Sequence, residues 1–398
     1  MQRFDVAVIG AGSAGMMCAA VAAQRGRRVV LLDHATLLAE KIRISGGGRC
    51  NFTNRRVEPE HFISGNPHFC KSALAGYSPQ DFIALMDRYG IAWHEKHRGQ
   101  LFCDRSSEEV IDLLRAECQL GDVQWRMPCT VQQITRLETS VDAGYELATS
   151  LGSIQAEKLV IATGGLAIPQ LGATDFGLKI ARQFGLKVVE PRPALVPLTF
   201  DAEQWAEFGE LAGLALEAKI STGAGRKQQM FLEDVLFTHR GLSGPGILQI
   251  SSYWQPGEAI ALDLAPGQEM EAMLLEAKSG GRQQLGNLLS GLWPKRLAEK
   301  WLGEQAAVRI ADAPDRLLRE LAARIQAWSL VPNGTAGYKK AEVMRGGVDT
   351  KGLDQRSMQA RAVPGLHFIG EVVDVTGWLG GYNFQWAWAS AVACGRSL

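Results

Sequence analysis

The chain has 398 residues, 46% of them hydrophobic and 21% charged, and its 42 basic and 42 acidic side chains leave a formal net charge of zero. That is the composition of a soluble globular protein too long for one ordinary core, so two or three domains are expected. A neutral chain without a basic block gives no electrostatic reason for a nucleic-acid partner, and no apolar run reaches the roughly 18 residues of a membrane span. The expectation is a cytoplasmic protein with a small-molecule substrate, no nucleic-acid partner and no membrane association, because Met1 leads straight into a strand with no signal-like segment. Seven cysteines lie between Cys18 and Cys394 without a Cys-x-x-Cys pair, which favours thiols over a disulfide framework. His94, His97 and Cys103 lack regular ligand spacing, so no metal is expected.

The first 33 residues organise the rest. Phe4-Asp5-Val6-Ala7-Val8-Ile9 has the length of a buried strand and runs into Gly10-Ala11-Gly12-Ser13-Ala14-Gly15. Ala14, Met17, Cys18, Val21 and Ala22 then recur at helical spacing, and Arg28-Val29-Val30-Leu31-Leu32 reads as a second strand ending on Asp33. A G-x-G-x-x-G between strand and helix, followed by an acidic residue at the second strand's end, is the fingerprint of a dinucleotide site. Gly10 permits the tight turn, Gly12 lets backbone approach a pyrophosphate, and Gly15 lets helix pack on strand. The helix start offers N–H groups and partial positive charge to phosphate, and Asp33 can accept a ribose diol.

Residues 41–54 place three glycines after Ser45, then Arg49, Cys50 and Asn51. Such a loop is either mobile or closely approached by a flat ligand, and the polar trio favours the ligand. Residues 81–86 read as a helix, residues 93–104 as a hairpin turning at Arg98-Gly99, and Ser106 with Glu109 as a capping box opening the next helix. An apolar strand at residues 158–162 exits through Thr163-Gly164-Gly165. Three prolines between Glu190 and Pro197 suggest an extended linker and a domain boundary. Strands are expected at residues 214–220 and 229–237, joined by a hairpin turn at Gly223-Ala224-Gly225. Residues 270–328 read as helical, with Leu285, Leu288, Leu289 and Leu292 on one face and Leu317, Leu318, Leu321 and Ile325 on another. The tail carries a strand ending in Gly370-Glu371, a glycine- and aromatic-rich stretch from Thr376, and a buried helix holding Trp386 and Trp388.

The anchors at residues 10–33, 158–165 and 366–371 together resemble two-dinucleotide-binding-domain flavoproteins of the glutathione-reductase type. Three motifs are more specific: Ser45-Gly46-Gly47-Gly48-Arg49-Cys50-Asn51-Phe52-Thr53-Asn54, Phe237-Thr238-His239-Arg240-Gly241-Leu242-Ser243-Gly244-Pro245, and Gly377-Trp378-Leu379-Gly380-Gly381-Tyr382-Asn383-Phe384-Gln385-Trp386. With them the chain resembles, over essentially its whole length, the BaiN/RdsA family of NAD(P)/FAD-dependent oxidoreductases, the YhiN-like flavoproteins. One departure is Ala39-Glu40 before Lys41, where the family usually has Gly-Arg or Gly-Lys, so no cofactor contact is carried over there.

The resemblance implies an α/β fold: a Rossmann-like FAD-binding domain of the glutathione-reductase type at residues 1–192 and 341–398, split by an insert at 193–340. The insert would hold a β-barrel-like part (193–265) and a small helical part (266–330). It implies non-covalent FAD, with Gly10, Gly12, Ser13, Ala14 and Gly15 at the pyrophosphate, Asp33 at the adenosine ribose and Val131 at the adenine. Thr163 and Gly164 would line the second crossing, and Gly370 and Glu371 the ribityl chain. Gly48, Arg49, Cys50 and Asn51, and Gly380, Gly381, Tyr382 and Asn383, would flank the isoalloxazine. NAD(P)H is the candidate electron donor, although no second complete G-x-G-x-x-G marks a separate domain for it. Arg55 stands where glutathione-reductase-type enzymes carry a second cysteine, so Cys50 is not expected to be half of a redox disulfide. Within the insert, His239 and Arg240 are the candidate catalytic pair: histidine as a type carries protons near neutral pH, and arginine binds a carboxylate in bidentate fashion. They serve equally well as structural residues capping the next helix. The function expected is a flavin-dependent oxidoreductase moving hydride between NAD(P)H or a small molecule and the flavin; the alternative is an FAD-containing binding or redox-sensor protein with little turnover.

Overall fold

A computed structural model of the chain describes residues 1–138 and 143–398. They form two compact units, Met1–Arg192 with Val343–Leu398, and Pro193–Glu342.

The first unit is built on strands buried on both faces. Gln2–Ile9 pairs in parallel with Val29–Leu32 on one side and Ile154–Ile161 on the other. Leu366–Phe368 adds in parallel to Ile154–Ile161, and Gln124–Arg126 to Val29–Leu32. Val6, Ala7, Val8, Val30, Leu31, Leu159, Val160 and Ile161 are all fully buried, which is why these strands read as continuous apolar runs rather than alternating ones. Ala143–Thr149 and Val131–Glu138 extend the sheet in antiparallel fashion. Register sets Ile9 beside Leu32 and Ile161, and Ile161 beside Phe368. The four chain exits, at Gly10, Asp33, Ala162 and Ile369, therefore open at one edge of the sheet, where ligands of open α/β sheets bind. The helix Ser13–Ala23 is buried almost all round and packs on the C-terminal helix Tyr382–Ser397. A Cβ on Gly395 would stand 2.9 Å from the Val21 side chain, so the small residue sets how near the two helices come.

Two local expectations change. Ser106 and Glu109 do not form the capping box: the helix is Glu108–Leu120, Ser107 precedes it, and the Ser107 hydroxyl donates to Arg43 O at 2.8 Å. Glu109 instead accepts from Arg105. A capping box forms at Ser78 and Asp81, which open the helix Pro79–Arg88. The proline-rich stretch is extended, but it is a strand, Val188–Ala194, paired with Val343–Val348.

The second unit carries an antiparallel seven-stranded sheet, in the order Trp328–Leu330, Ile260–Asp263, Ala215–Thr222, Gln229–Thr238, Gly241–Ser243, Leu198–Thr199 and Gly334–Thr335. Along Gln229–Thr238 the side chains of Phe231, Val235 and Phe237 are buried while Met230, Leu232 and Asp234 are exposed, the alternation of a sheet with one covered face. The helix Pro245–Ser251 covers it, and Phe237 packs among Trp205, Phe208 and Trp328. Helices Met270–Lys278, Leu285–Leu289, Lys295–Leu302 and Asp315–Gln326 complete the unit. Leu285, Leu289, Leu318, Leu321 and Ile325 are buried as their spacing predicts. Leu292 is not: its helix ends at Leu289, and it is 38% exposed. Among the described residues, no helix is long and apolar enough to cross a membrane.

Candidate functional site

The Gly10–Gly15 turn is shaped by backbone crowding. Gly10 has φ +106°, and a Cβ there would lie 2.4 Å from Ala162 O. A Cβ on Gly15 would lie 1.7 Å from Gly10 O, whereas one on Gly12 would meet nothing within 4 Å. The helix Ser13–Ala23 starts from Gly12 without a side-chain cap, so Ser13 and Ala14 sit in a first turn whose N–H groups face the opening. Asp33 braces this turn: Oδ2 accepts from Ala11 N at 2.6 Å and Oδ1 from Ala35 N at 2.8 Å. A carboxylate offers about four lone-pair sites, so both oxygens retain capacity for ribose hydroxyls. Cys129 N donates to Asp33 O at 2.6 Å, which brings the buried Val131 close to Asp33 along the chain.

Thr163 and Gly164 follow the central strand. The Thr163 hydroxyl is buried without a hydrogen-bond partner, and Gly164 has φ +69°. Gly370 sits against the first helix, a Cβ there falling 3.0 Å from the Ala14 Cβ. Ser390 Oγ accepts from Gly370 N, and Trp386 Nε1 donates to Gly370 O, so the C-terminal helix fixes this turn. Glu371 is engaged on both oxygens, accepting from Lys41 Nζ at 2.8 Å and from Met344 N at 2.9 Å.

The third wall joins two segments far apart in sequence. Gly47 and Gly48 have positive φ and open space where side chains would project. Arg49 is exposed, and Cys50 is fully buried. Burial, then the neighbouring Cys103, push the Cys50 thiol well above its ordinary pKa, so it stands as a neutral packing group. The Asn51 amide is oriented with its oxygen accepting from Gly381 N at 3.1 Å and its nitrogen donating to Leu101 O. Asn54, 2% exposed, donates to Gly380 O at 3.0 Å and to Arg98 O at 3.1 Å. Gly381 can have no side chain, since a Cβ would lie 2.3 Å from Thr53 O. Asn383 closes its own turn, accepting from Gly377 N and donating to Gly377 O. Tyr382 is buried against His61 and Phe62, and burial pushes its pKa up to about 12.

Sequence reasoning assigned no role to Lys41, Asn54, His61 or Trp378. Lys41 and Asn54 find their partners about three hundred residues away, beyond any spacing rule. His61 lies with its ring centroid 4.7 Å from Trp378 and 4.8 Å from Tyr382. Its Nδ1 accepts from Glu58 N at 3.0 Å, so the neutral ring carries its proton on Nε2. Burial lowers the His61 pKa against the opposing pull of Glu58 and Glu60. In the other unit, His239 and Arg240 occupy the turn between Gln229–Thr238 and Gly241–Ser243, with both side chains exposed. Phe200 N donates to Arg240 O, and the Thr238 hydroxyl donates to Gly241 O.

An extended dinucleotide fits these features. Gly12 leaves its path clear, the uncapped helix start supplies N–H donors, the orphaned Thr163 hydroxyl lacks a partner, and Gly47 and Gly48 admit a flat ring. A Rossmann-type FAD-binding unit of this kind defines a flavin-dependent oxidoreductase, and FAD is its cofactor. Residues 4–397 match the HI0933-like protein Rossmann domain, and the chain belongs to that family.

Three relatives extend the comparison. A protein of Escherichia coli (strain K12) named ribosomal RNA dihydrouridine synthase is 51% identical over 401 residues, covering 100% of this chain and 98% of its own. A protein of the same name from Haemophilus influenzae is 46% identical over 395 residues, covering 98% and 97%. A 3-dehydro-bile acid delta(4,6)-reductase of Clostridium scindens is 27% identical over 419 residues, covering 98% of each. The first two overturn the expectation of no nucleic-acid partner. A net charge is a sum over the whole surface and conceals where the charges stand.

Proposed function

We propose that the protein is an FAD-dependent reductase that converts uridine in ribosomal RNA to 5,6-dihydrouridine. The observation that carries this reading is 51% identity, over the full length of both chains, to a relative of that name. The chemistry is coherent with the third relative. The C5=C6 bond of uracil is conjugated with the C4 carbonyl, and the bile-acid reductase is named for double bonds conjugated with a 3-oxo group. In uracil such a reduction adds hydride to C6, the carbon remote from the C4 carbonyl, and a proton to C5 beside it.

In this reading the flavin, once reduced by NAD(P)H, would supply the hydride and be left oxidised. Gly10, Gly12, Ser13, Ala14 and Gly15 receive the pyrophosphate, Asp33 the adenosine ribose and Val131 the adenine. Thr163, Gly164, Gly370 and Glu371 line the middle of the cofactor, and Gly48, Arg49, Cys50 and Asn51, joined through Asn51 and Gly381 to the stretch Gly380, Gly381, Tyr382 and Asn383, flank the ring system with it. A target base must leave the RNA stack to react. The half-buried rings of His61 and Trp378, backed by the buried Tyr382, offer an aromatic surface for such a base. Neutral His61, donating from Nε2, is suited to the uracil C4 carbonyl, where negative charge develops as hydride arrives. In the second unit, the exposed His239 and Arg240 are suited to carrying a proton and to binding an anionic group of the substrate. A ribosomal substrate also agrees with cytoplasmic placement.

The test is a two-step anaerobic experiment on the purified holoprotein. NADPH or NADH should bleach the flavin, and unmodified ribosomal RNA should then restore its colour while acquiring dihydrouridine. A flavin that bleaches but is not reoxidised by the RNA would count against the substrate and favour a sensor of low turnover.

A further inference from the structure

The strand Val343–Val348 is tied at its start to three segments of the FAD-binding unit. Met344 N donates to Glu371 Oε1 at 2.9 Å, and Thr376 Oγ1 donates to Met344 O at 3.1 Å. A Cβ on Gly165, the residue after Gly164, would lie 2.9 Å from the Met344 Cβ. Met344 is therefore fixed among the Thr163–Gly165 exit, the Glu371 turn and the start of the glycine-rich stretch that leads to Asn383. Glu342 stands two residues before it, so the backbone places the two Cα atoms at most about 7 Å apart.

Two carboxyls thus adjoin Met344, and they differ. Glu371 is engaged by Lys41 Nζ and by Met344 N. Glu342 donates its backbone N–H to Leu195 O at 3.1 Å, but its side chain has no hydrogen bond and no ion pair among the described residues. That side chain meets solvent, yet protein surrounds it closely enough that burial pushes its pKa up to about 7. Burial is the whole cause, and Lys340 and Arg345, its charged neighbours in the chain, do not contribute to the shift. Glu342 therefore keeps a proton up to neutral pH, where an ordinary glutamate has lost it. Enclosure holds the proton, and contact with water allows it to be replaced. An unpartnered carboxyl in such surroundings contributes nothing to the fold and suits an acid.

Resting on the uridine-reductase reading, we propose that Glu342 is the acid that delivers a proton to C5 of the target uridine as hydride reaches C6. Hydride brings an electron pair to C6, and the C5=C6 π pair moves toward the C4 carbonyl as an enolate. The Glu342 O–H bond breaks as the C5–H bond forms. Glu342 is left as a carboxylate and regains its proton from water, while the two electrons come from NAD(P)H by way of the flavin. A positioned acid of this kind contributes about 10²–10⁴-fold to the rate.

The experiment uses the holoenzyme, unmodified protein-free ribosomal RNA and Glu342→Gln, which keeps the shape and removes the acid. The variant should keep its FAD and its reduction by NADPH, yet its reduced flavin should be reoxidised by the RNA about a hundredfold more slowly. Wild-type reoxidation should fall as pH rises through about 7, because the protonated acid is lost there, and Glu342→Gln should lack that fall. Glu342→Asp, which retains an acid, should recover part of the rate and the fall with pH. Without any RNA, infrared difference spectra across neutral pH should show a protonated-carboxyl band that Glu342→Gln lacks. If wild type reduces the RNA and Glu342→Gln does so at the same rate, Glu342 is not the acid while the activity stands. A slower variant that keeps the wild-type pH profile, or a wild type without the infrared band, would also overturn the assignment. If wild type with reduced flavin leaves the RNA unchanged, the functional reading falls and this role falls with it.

Discussion

Two glycine-rich loops of the FAD-binding unit are held by different forces. In the turn from Gly10 to Gly15, backbone packs on backbone: Gly15 has no room for a Cβ against Gly10 O, and Gly10 none against Ala162 O. In the loop from Gly46 to Asn54, Gly47 and Gly48 are open, and order comes from side-chain amides reaching to Gly380 and Gly381. The first loop depends on what is missing from its residues, and the second on what a few of its residues carry. A loop of the first kind fails through steric conflict at a glycine. A loop of the second kind fails through an unsatisfied buried polar group, a smaller and more graded loss.

Substitutions order these effects. Gly15→Ala should be the most damaging, because the conflict is with backbone and nothing flexible can yield; a loss beyond about 4 kcal/mol is expected, seen as failure to recover folded protein. Gly12→Val should separate fold from function. Its backbone angles suit any residue and its surroundings are empty, so the apoprotein should melt within about 0.5 kcal/mol of wild type. The variant should nevertheless emerge colourless, with no FAD released on denaturation; a yellow Gly12→Val protein would remove the pyrophosphate from this loop.

Asn54→Ala tests the second loop. It deletes three hydrogen bonds, leaving Gly380 O and Arg98 O without this donor and Arg56 N without this acceptor, a cost of about 2 kcal/mol in denaturant unfolding. FAD should still load, with weakened affinity. If Asn54→Ala proved as damaging as Gly15→Ala, the contrast between the two loops would disappear. Cys50→Ser should have the least effect. The thiol is buried and neutral, so serine costs about 1 kcal/mol for a buried hydroxyl. The rate of flavin reduction should not change, and thiol titration should find no disulfide pairing Cys50 with a partner.

The same contrast explains what the sequence disclosed. Crowded glycines leave a spacing rule, and the strand–turn–helix at residues 4–23 is legible from it because the geometry is local. The parallel strands are legible as apolar runs because both of their faces are covered. Amide locks leave no such rule. Asn54 and Gly380 are 326 residues apart, and Lys41 and Glu371 are 330 apart, so the order of the second loop is visible only through motif resemblance and then through the fold. The capping box at Ser106 failed for a related reason: its neighbour Ser107 is drawn to Arg43 O by a tertiary contact that the local pattern cannot show. Charge misled most. A net charge of zero is a sum over the whole surface and says nothing of where the charges stand.

The central claim is a reaction on RNA, and mass measurement of nucleosides tests it most directly. Unmodified ribosomal RNA, incubated with FAD-loaded protein and NADPH, should yield a uridine heavier by two hydrogens at a discrete position, absent with the Gly12→Val protein. Ribosomal RNA that returns with every uridine at its original mass, under conditions in which the flavin is shown to be reduced, would contradict the account.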